Sequence, residues 1–201
     1  MSAAHTPGQT VGPFFGYALP YPHGHELVPP THPGAIRLHG TVFDGDGAPV
    51  PDAVLEIWQP DADGRISCEP GSLNRDGYTF TGWGRAATDN AGQYTFTTVE
   101  PGRTDPARPA FIALTVFARG LLDRLFTRIY LPPPAGAGGD ADGPAPGDDP
   151  LLASLSPDRR ATVIAARDGH GLHFDVVLQG ERETVFLAHT DAQPASHPDS
   201  P

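Results

Sequence analysis

From residue 35 onward, apolar and polar positions alternate in short runs with a period of two, the period of a strand with one face buried. "AIRLHGTVFD" carries the pattern to Asp44, starting at Ile36. "AVLEIWQ" (53–59) sets Val54, Glu56 and Trp58 against Leu55, Ile57 and Gln59. Further runs cover 83–89, 92–99, 110–118, 124–131, 172–179 and 183–188. Gly, Asp, Asn or Pro stands at most breaks, as in "GDGAP" and "PDADG". Many short strands at this spacing predict an all-β sandwich or barrel. One stretch breaks the period. "SPDRRATVIAAR" (156–167) offers Ser156 as N-cap and Pro157 at the first helical position, and predicts a short helix with Val163 and Ile164 facing the sheets.

The remaining segments are irregular. "TPGQTVGPFF" (6–15) reads as an extended arm whose Thr10, Phe14 and Phe15 need something to touch. Residues 18–34 are Pro-rich and read as a connection. Residues 133–150 hold too few apolar groups to offset ordering entropy and read as a surface loop, mobile in part. The expected organisation is an arm and connection over 1–34, one β-domain over 35–190, and a disordered tail over 191–201.

Charge narrows the function classes. The net charge is −11, and all 13 basic residues are Arg. That balance argues against nucleic acid, whose affinity rests on neutralising phosphates, although a few focused arginines can still admit a small anion. Cys68 is the single cysteine, which excludes a disulfide framework and any Cys-rich metal site. No run approaches the length of a membrane span, and the first residues lack a basic start and an apolar run, so the expected location is cytoplasmic.

"GTVFDGDGAPVPDAVLEIWQPDADG" (40–64) and "GWGRAATDNAGQYTFTTVEPG" (82–102) resemble the signature blocks of the intradiol ring-cleaving dioxygenases. "RPAFIALTVFARGLLDRLFTRIYL" and the segment from "LASLSPDRR" to "VFL" continue the resemblance over about nine-tenths of the chain. The resemblance implies a β-sandwich with a short helix and long loops. It also implies chemistry at a ferric ion held by two tyrosinates and two histidines, hard anionic oxygens with imidazole. In catalytic chains of the family the histidines stand as His-x-His after Pro-Ala. Here that sequence is "RPAFIA", so Phe111 and Ala113 occupy the two positions. The tyrosine expected after "DADGR" is Ile66, and the one expected after "EPG" is Arg103, which brings a positive charge. All four ligands are absent together, so the chain is expected to bind no metal. Other donors have ordinary explanations. His23 and His25 sit in a Pro-rich loop, and His39, His170 and His173 fall on or beside strands as half-exposed residues. Tyr78, Tyr94 and Tyr130 have strand-like settings suited to packing.

In two-chain members of the family, an iron-free alpha chain pairs with an iron-bearing beta chain of the same fold. The resemblance therefore implies a beta partner carrying Fe(III), an (αβ)n assembly, and a small aromatic substrate, protocatechuate. The alpha arm lines the partner's site, which puts Thr10, Gly12, Pro13 and Phe14 near substrate; the compared alpha chain has a tyrosine at Phe14, so that hydroxyl is missing here. Arg128 matches an alpha-chain arginine near the same site. It is read either as a carboxylate contact or as an ordinary strand arginine. Arg108 is expected to persist as a relic or an ion-pair partner, and Arg85 as structural. The alternative is a catalytically dead β-sandwich that acts as a binding or interaction module. A homo-oligomeric dioxygenase is disfavoured by the four absent ligands.

Overall fold

The computed structural model describes residues 10, 12, 14–69, 75–132 and 149–188. Within them the chain order is α1 (Phe15–Ala18), β1 (Ala35–Phe43), β2 (Val54–Trp58), β3 (Trp83–Ala87), β4 (Gln93–Val99), β5 (Phe111–Phe117) and β6 (Leu125–Tyr130). There follow α2 (Pro150–Ser154), α3 (Pro157–Ala161), β7 (Ala166–Asp168), β8 (Gly171–His173) and β9 (Val176–Val177). One sheet runs β4-β1-β8-β7, with β9 also paired to β1; the other runs β3-β2-β5-β6. The alternation read from the sequence sets the layers. Leu38, Val42 and Phe96 from the first sheet meet Leu55, Ile57 and Leu114 from the second in one core. The fold is the all-β sandwich expected.

The strands over 172–179 and 183–188 differ from their predicted form. The first splits into β8 and β9 around Phe174 and Asp175. The Phe174 carbonyl lies against Gly40, where an added Cβ would come within 1.9 Å of it, and it accepts the Tyr94 hydroxyl at 2.5 Å. Phe174 N still donates to His39 O (2.8 Å), but Thr41 N donates to Asp175 Oδ1 at 2.8 Å, a side chain in place of a backbone acceptor. Residues 183–188 form no strand. They strap the two sheets instead: Thr184 N donates to Val177 O (2.9 Å) on one sheet and Leu187 N to Phe126 O (2.7 Å) on the other. Tyr94→Phe removes the donor to a buried carbonyl. It is expected to cost about 1–2 kcal/mol in urea unfolding; an unchanged midpoint would contradict that role.

The predicted helix over 156–167 is also shorter. Ser156 caps it and Pro157 starts it, but α3 ends at Ala161. Thr162, still helical in its backbone, caps the end, and Thr162 and Val163 form a turn. The chain then meets the end of β6, with Tyr130 N donating to Val163 O (2.8 Å) and Ala165 N to Tyr130 O (2.9 Å). Ala166–Asp168 is then strand β7. Of the predicted loop over 133–150, residues 133–148 lie outside the described residues, as does the tail over 191–201. Asp149 and Pro150 belong to α2, as its N-cap and first residue. α1 was not foreseen. Tyr78 lies in no strand: it is exposed, in a turn held by Asp76, whose Oδ1 accepts Tyr78 N (2.8 Å) and Thr79 N (2.7 Å).

The outer faces of the sheets differ in character. That of the first sheet carries Arg37, His39, Thr41 and Thr95. His39 and His173 face Asp168 and Asp175, each at 3.1 Å. The second sheet shows Trp58, Trp83, Phe111 and Ala113. One end of it is covered by α2 and α3, whose Leu152, with Val163 beyond α3, packs on Tyr130 and Phe111. Residues 19–24 cover the other end, where Tyr21 stacks on Trp83 at 6.2 Å.

Candidate functional site

Between these covers, at the end of β2 and the start of β5, lies an apolar cavity of about 110 Å³. Trp58, Pro60, Ile66, Pro109, Phe111 and Ala113 form most of its wall. Local chemistry brings these segments together. Asp61 Oδ1 accepts Asp63 N (2.9 Å) and Arg65 N (2.8 Å), which closes the "DADGR" turn. Gly64, at φ +83°, completes the turn where a Cβ would stand 2.0 Å from Arg103 O. Gly102 N donates to Asp61 O at 2.7 Å, so the "EPG" loop is pinned to the same turn. Gln59 joins the sheets beneath them. It is buried, donates to Val99 O (2.9 Å) and Pro60 O (3.2 Å), and accepts from Thr98 Oγ1 (2.8 Å).

Three of the four expected ligand positions, Ile66, Phe111 and Ala113, thus face one cavity. Their side chains hold no donor atom, so the residues present do not fit a ferric ion. Arg103, the fourth, is exposed and lies outside the cavity wall, so its charge does not fill the centre as expected. The turn geometry of a binding site persists while its chemistry is apolar. Such a hollow can take a ring or an apolar side chain.

Arg128 stands beside this cavity, opposite Ala113 in the β5–β6 register. Its guanidinium lies over the Phe111 ring at 4.3 Å, donates to Tyr130 Oη (3.1 Å) and approaches Asp149 Oδ2 at 3.5 Å. Tyr130 in turn donates to Asp149 Oδ1 (3.0 Å), and burial pushes its phenol up to about 12, so it stays a neutral donor. Asp149, which sequence reasoning missed, is 1% exposed and caps α2 through Leu151 N (2.9 Å) and Leu152 N (3.2 Å). An aspartate and a proline just before "LLASL" were the signal that could have found it.

The arm residues are elsewhere. Thr10 Oγ1 accepts Gly12 N at 3.2 Å, and Gly12 has φ +81°, a left-handed turn that favours glycine. Phe14 is 72% exposed, as the residue before α1. Pro13 lies outside the described residues. None of Thr10, Gly12, Phe14 and Arg128 lines the cavity. Arg85 is structural, bonded to Glu56 across β2 and β3, and Arg108 pairs with Asp105 at 3.5 Å on the surface. Among the described residues, no group of three or more His, Cys, Asp or Glu side chains is arranged to hold a metal ion, and no helix is long and apolar enough to cross a membrane.

The sequence model of a dioxygenase family matches residues 12–180. The protocatechuate 3,4-dioxygenase alpha chain of Burkholderia cepacia is 38% identical over 199 residues, which cover 90% of this chain and 96% of the relative. The beta chain of the same name from that organism is 32% identical over 74% of this chain and 66% of its own length. Among solved structures, the dioxygenase domain of a carbohydrate-binding fusion from Streptomyces sp. SirexAA-E superposes with a TM-score of 0.55 at 26% identity, covering 87% of this chain and 98% of that one.

Proposed function

The chain belongs to the intradiol ring-cleavage dioxygenase family, and we propose that within it the chain serves as the iron-free alpha subunit of a protocatechuate 3,4-dioxygenase. Its partner is then a beta chain of the same fold that holds the ferric ion. The complex consumes O2 and breaks the ring bond between the two hydroxylated carbons, giving 3-carboxy-cis,cis-muconate. The observation that carries the reading is the cavity itself. Its loops keep their mutual bonds, while Ile66, Phe111 and Ala113 offer no ligand atom at the positions where the family places them. The higher identity to an alpha chain than to a beta chain supports the same choice.

The chain's own part in the reaction is then positional. Thr10, Gly12, Pro13 and Phe14 form a wall of the partner's substrate pocket, excluding water and orienting the ring. Phe14 offers an aromatic face without a phenol. Its exposure here is consistent with a surface kept for a partner, as are those of Tyr17, Trp58 and Ile66.

The test is co-expression with an iron-bearing beta homologue. The two chains should co-purify with ferric colour, and the alpha chain alone should be inactive. Deleting residues 1–13 should leave assembly and iron content intact while raising KM for protocatechuate about 3- to 10-fold. Unchanged kinetics after truncation would remove the arm from the pocket. Failure of the chains to associate would favour the interaction-module reading instead.

A further inference from the structure

We propose that Arg75 is a positioning residue for the shared substrate pocket, fixing the root of the N-terminal arm to the start of β3; the inference rests on the arm's role given above. Arg75 Nη1 donates to Thr81 Oγ1 at 2.9 Å. Nη2 donates to Trp83 O (2.6 Å), to Gly24 O (3.2 Å) and, longer, to Tyr21 Oη (3.4 Å). Its Nε is buried without an acceptor, and among the described residues no carboxylate pairs with it. A half-buried cation left without a counter-charge is costly to the fold. What the guanidinium provides is shape: a planar fork that spans two chain segments, residues 21–24 and 81–83, which a flexible ammonium cannot reproduce.

A second guanidinium grips the same root. Arg85, held by Glu56, donates Nη1 to Leu19 O at 2.6 Å, and its backbone N donates to Gly24 O at 2.8 Å. From Leu19 the chain continues toward its N-terminus as the single turn of α1. There Leu19 N donates to Phe15 O (3.0 Å) and Ala18 N to Phe14 O (2.9 Å), with Phe15 buried and Phe14 outside. At 1.5 Å per residue, Phe14 stands about 7 Å along the helix from the Arg85 contact. The two arginines therefore hold one end of a short stiff lever whose other end is the aromatic residue of the arm. Loosening the root misplaces Phe14 without touching the reacting atoms, and a shift of about 1 Å is enough to change turnover at a pocket wall.

Arg75→Met and Arg75→Lys test this in the complex reconstituted with an iron-bearing beta homologue. Both should raise KM for protocatechuate about 3- to 10-fold with kcat within about twofold, because lysine restores the charge but not the fork. Trp58 and Trp83 are the two tryptophans. In the full chain carrying Trp58→Phe, Trp83 emission therefore reports the root directly, and it should shift to the red in both variants as Tyr21 leaves the indole. Unchanged KM, an unmoved Trp83 emission, or a lysine variant that behaves as wild type would each overturn the proposal. So would a fall in melting temperature and kcat with KM unchanged, which marks a purely structural arginine. The 1–13 deletion separates the two levels. If it raises KM while the Arg75 variants do not, Arg75 alone loses its role; if it leaves KM unchanged, the arm reading fails and the positioning role with it.

Discussion

Asp149→Ala is expected to destabilise the chain by about 3–5 kcal/mol, the cost of breaking a buried charged network by removing one member. Asp149 is 1% exposed and performs three tasks at once. It accepts the Tyr130 hydroxyl at 3.0 Å, faces Arg128 at 3.5 Å, and caps α2 through Leu151 N and Leu152 N. Its loss leaves a buried phenol and two helix-start amides unsatisfied. α2 then loses its hold on Leu152, which packs with Tyr130 and Val163 in the satellite core. Asp149→Asn separates the contributions. The amide oxygen can still cap the helix and accept Tyr130, so the remaining loss measures the charge facing Arg128, about 1–3 kcal/mol. Urea unfolding of both variants decides the matter. An alanine variant within about 0.5 kcal/mol of wild type would mean the network is not what holds α2 to the sheet.

How much of this was legible depends on where each signal sits. The period-two runs of β2 and β5 were readable because both strands bury one face in a single core, so sequence alternation and burial coincide. That Ile66, Phe111 and Ala113 share one neighbourhood was implied by the resemblance, through "DADGR" and "RPAFIA", and the three do line one cavity. The segment over 166–168 was not legible: Ala166–Asp168 pairs antiparallel with Gly171–His173 across the "DGHG" turn, a local hairpin signal that the helical reading of 156–167 ran past. The run over 172–179 reads as strand and holds β8 and β9, but its break at Phe174 and Asp175 was not legible. Residues 183–188 alternate without pairing as a strand, because Thr184 bonds back to Val177 while Leu187 bonds to distant Phe126. Arg75 left no signal, since two of its four acceptors, Gly24 O and Trp83 O, are backbone carbonyls that any residue supplies, and the hydroxyls of Thr81 and Tyr21 match no motif. Asp149 is intermediate. Its cap was written in the sequence, while its tie to Arg128 needed β6 and α2 side by side.

That tie reshapes the expectation for Arg128. On the proposed reading, Arg128→Ala should lower kcat/KM for protocatechuate about 10- to 100-fold, the value of one charge-assisted hydrogen bond of about 1.5–3 kcal/mol, and leave catechol much less affected because it lacks the carboxylate. The guanidinium is well prepared for such a contact. Tyr130 and Asp149 engage Nη1 from within, Phe111 supports the plane at 4.3 Å, and the side chain remains 31% exposed. Asp149 also balances the charge, so little field reaches beyond a Debye length. The preference should therefore act on contact and survive added salt, where long-range steering would fade. Two controls keep the fold apart from recognition. Arg128→Lys retains a cation facing Asp149 but loses the fork, and should preserve stability while losing part of the preference. Tyr130→Phe removes the hydroxyl that orients Nη1 and should weaken the preference with Arg128 still present. Steady-state kinetics with both catechols, beside unfolding midpoints for each variant, give the answer. An equal loss on the two substrates, tracking the loss of stability, would assign Arg128 to the buried network with Asp149 and leave the carboxylate to the partner chain.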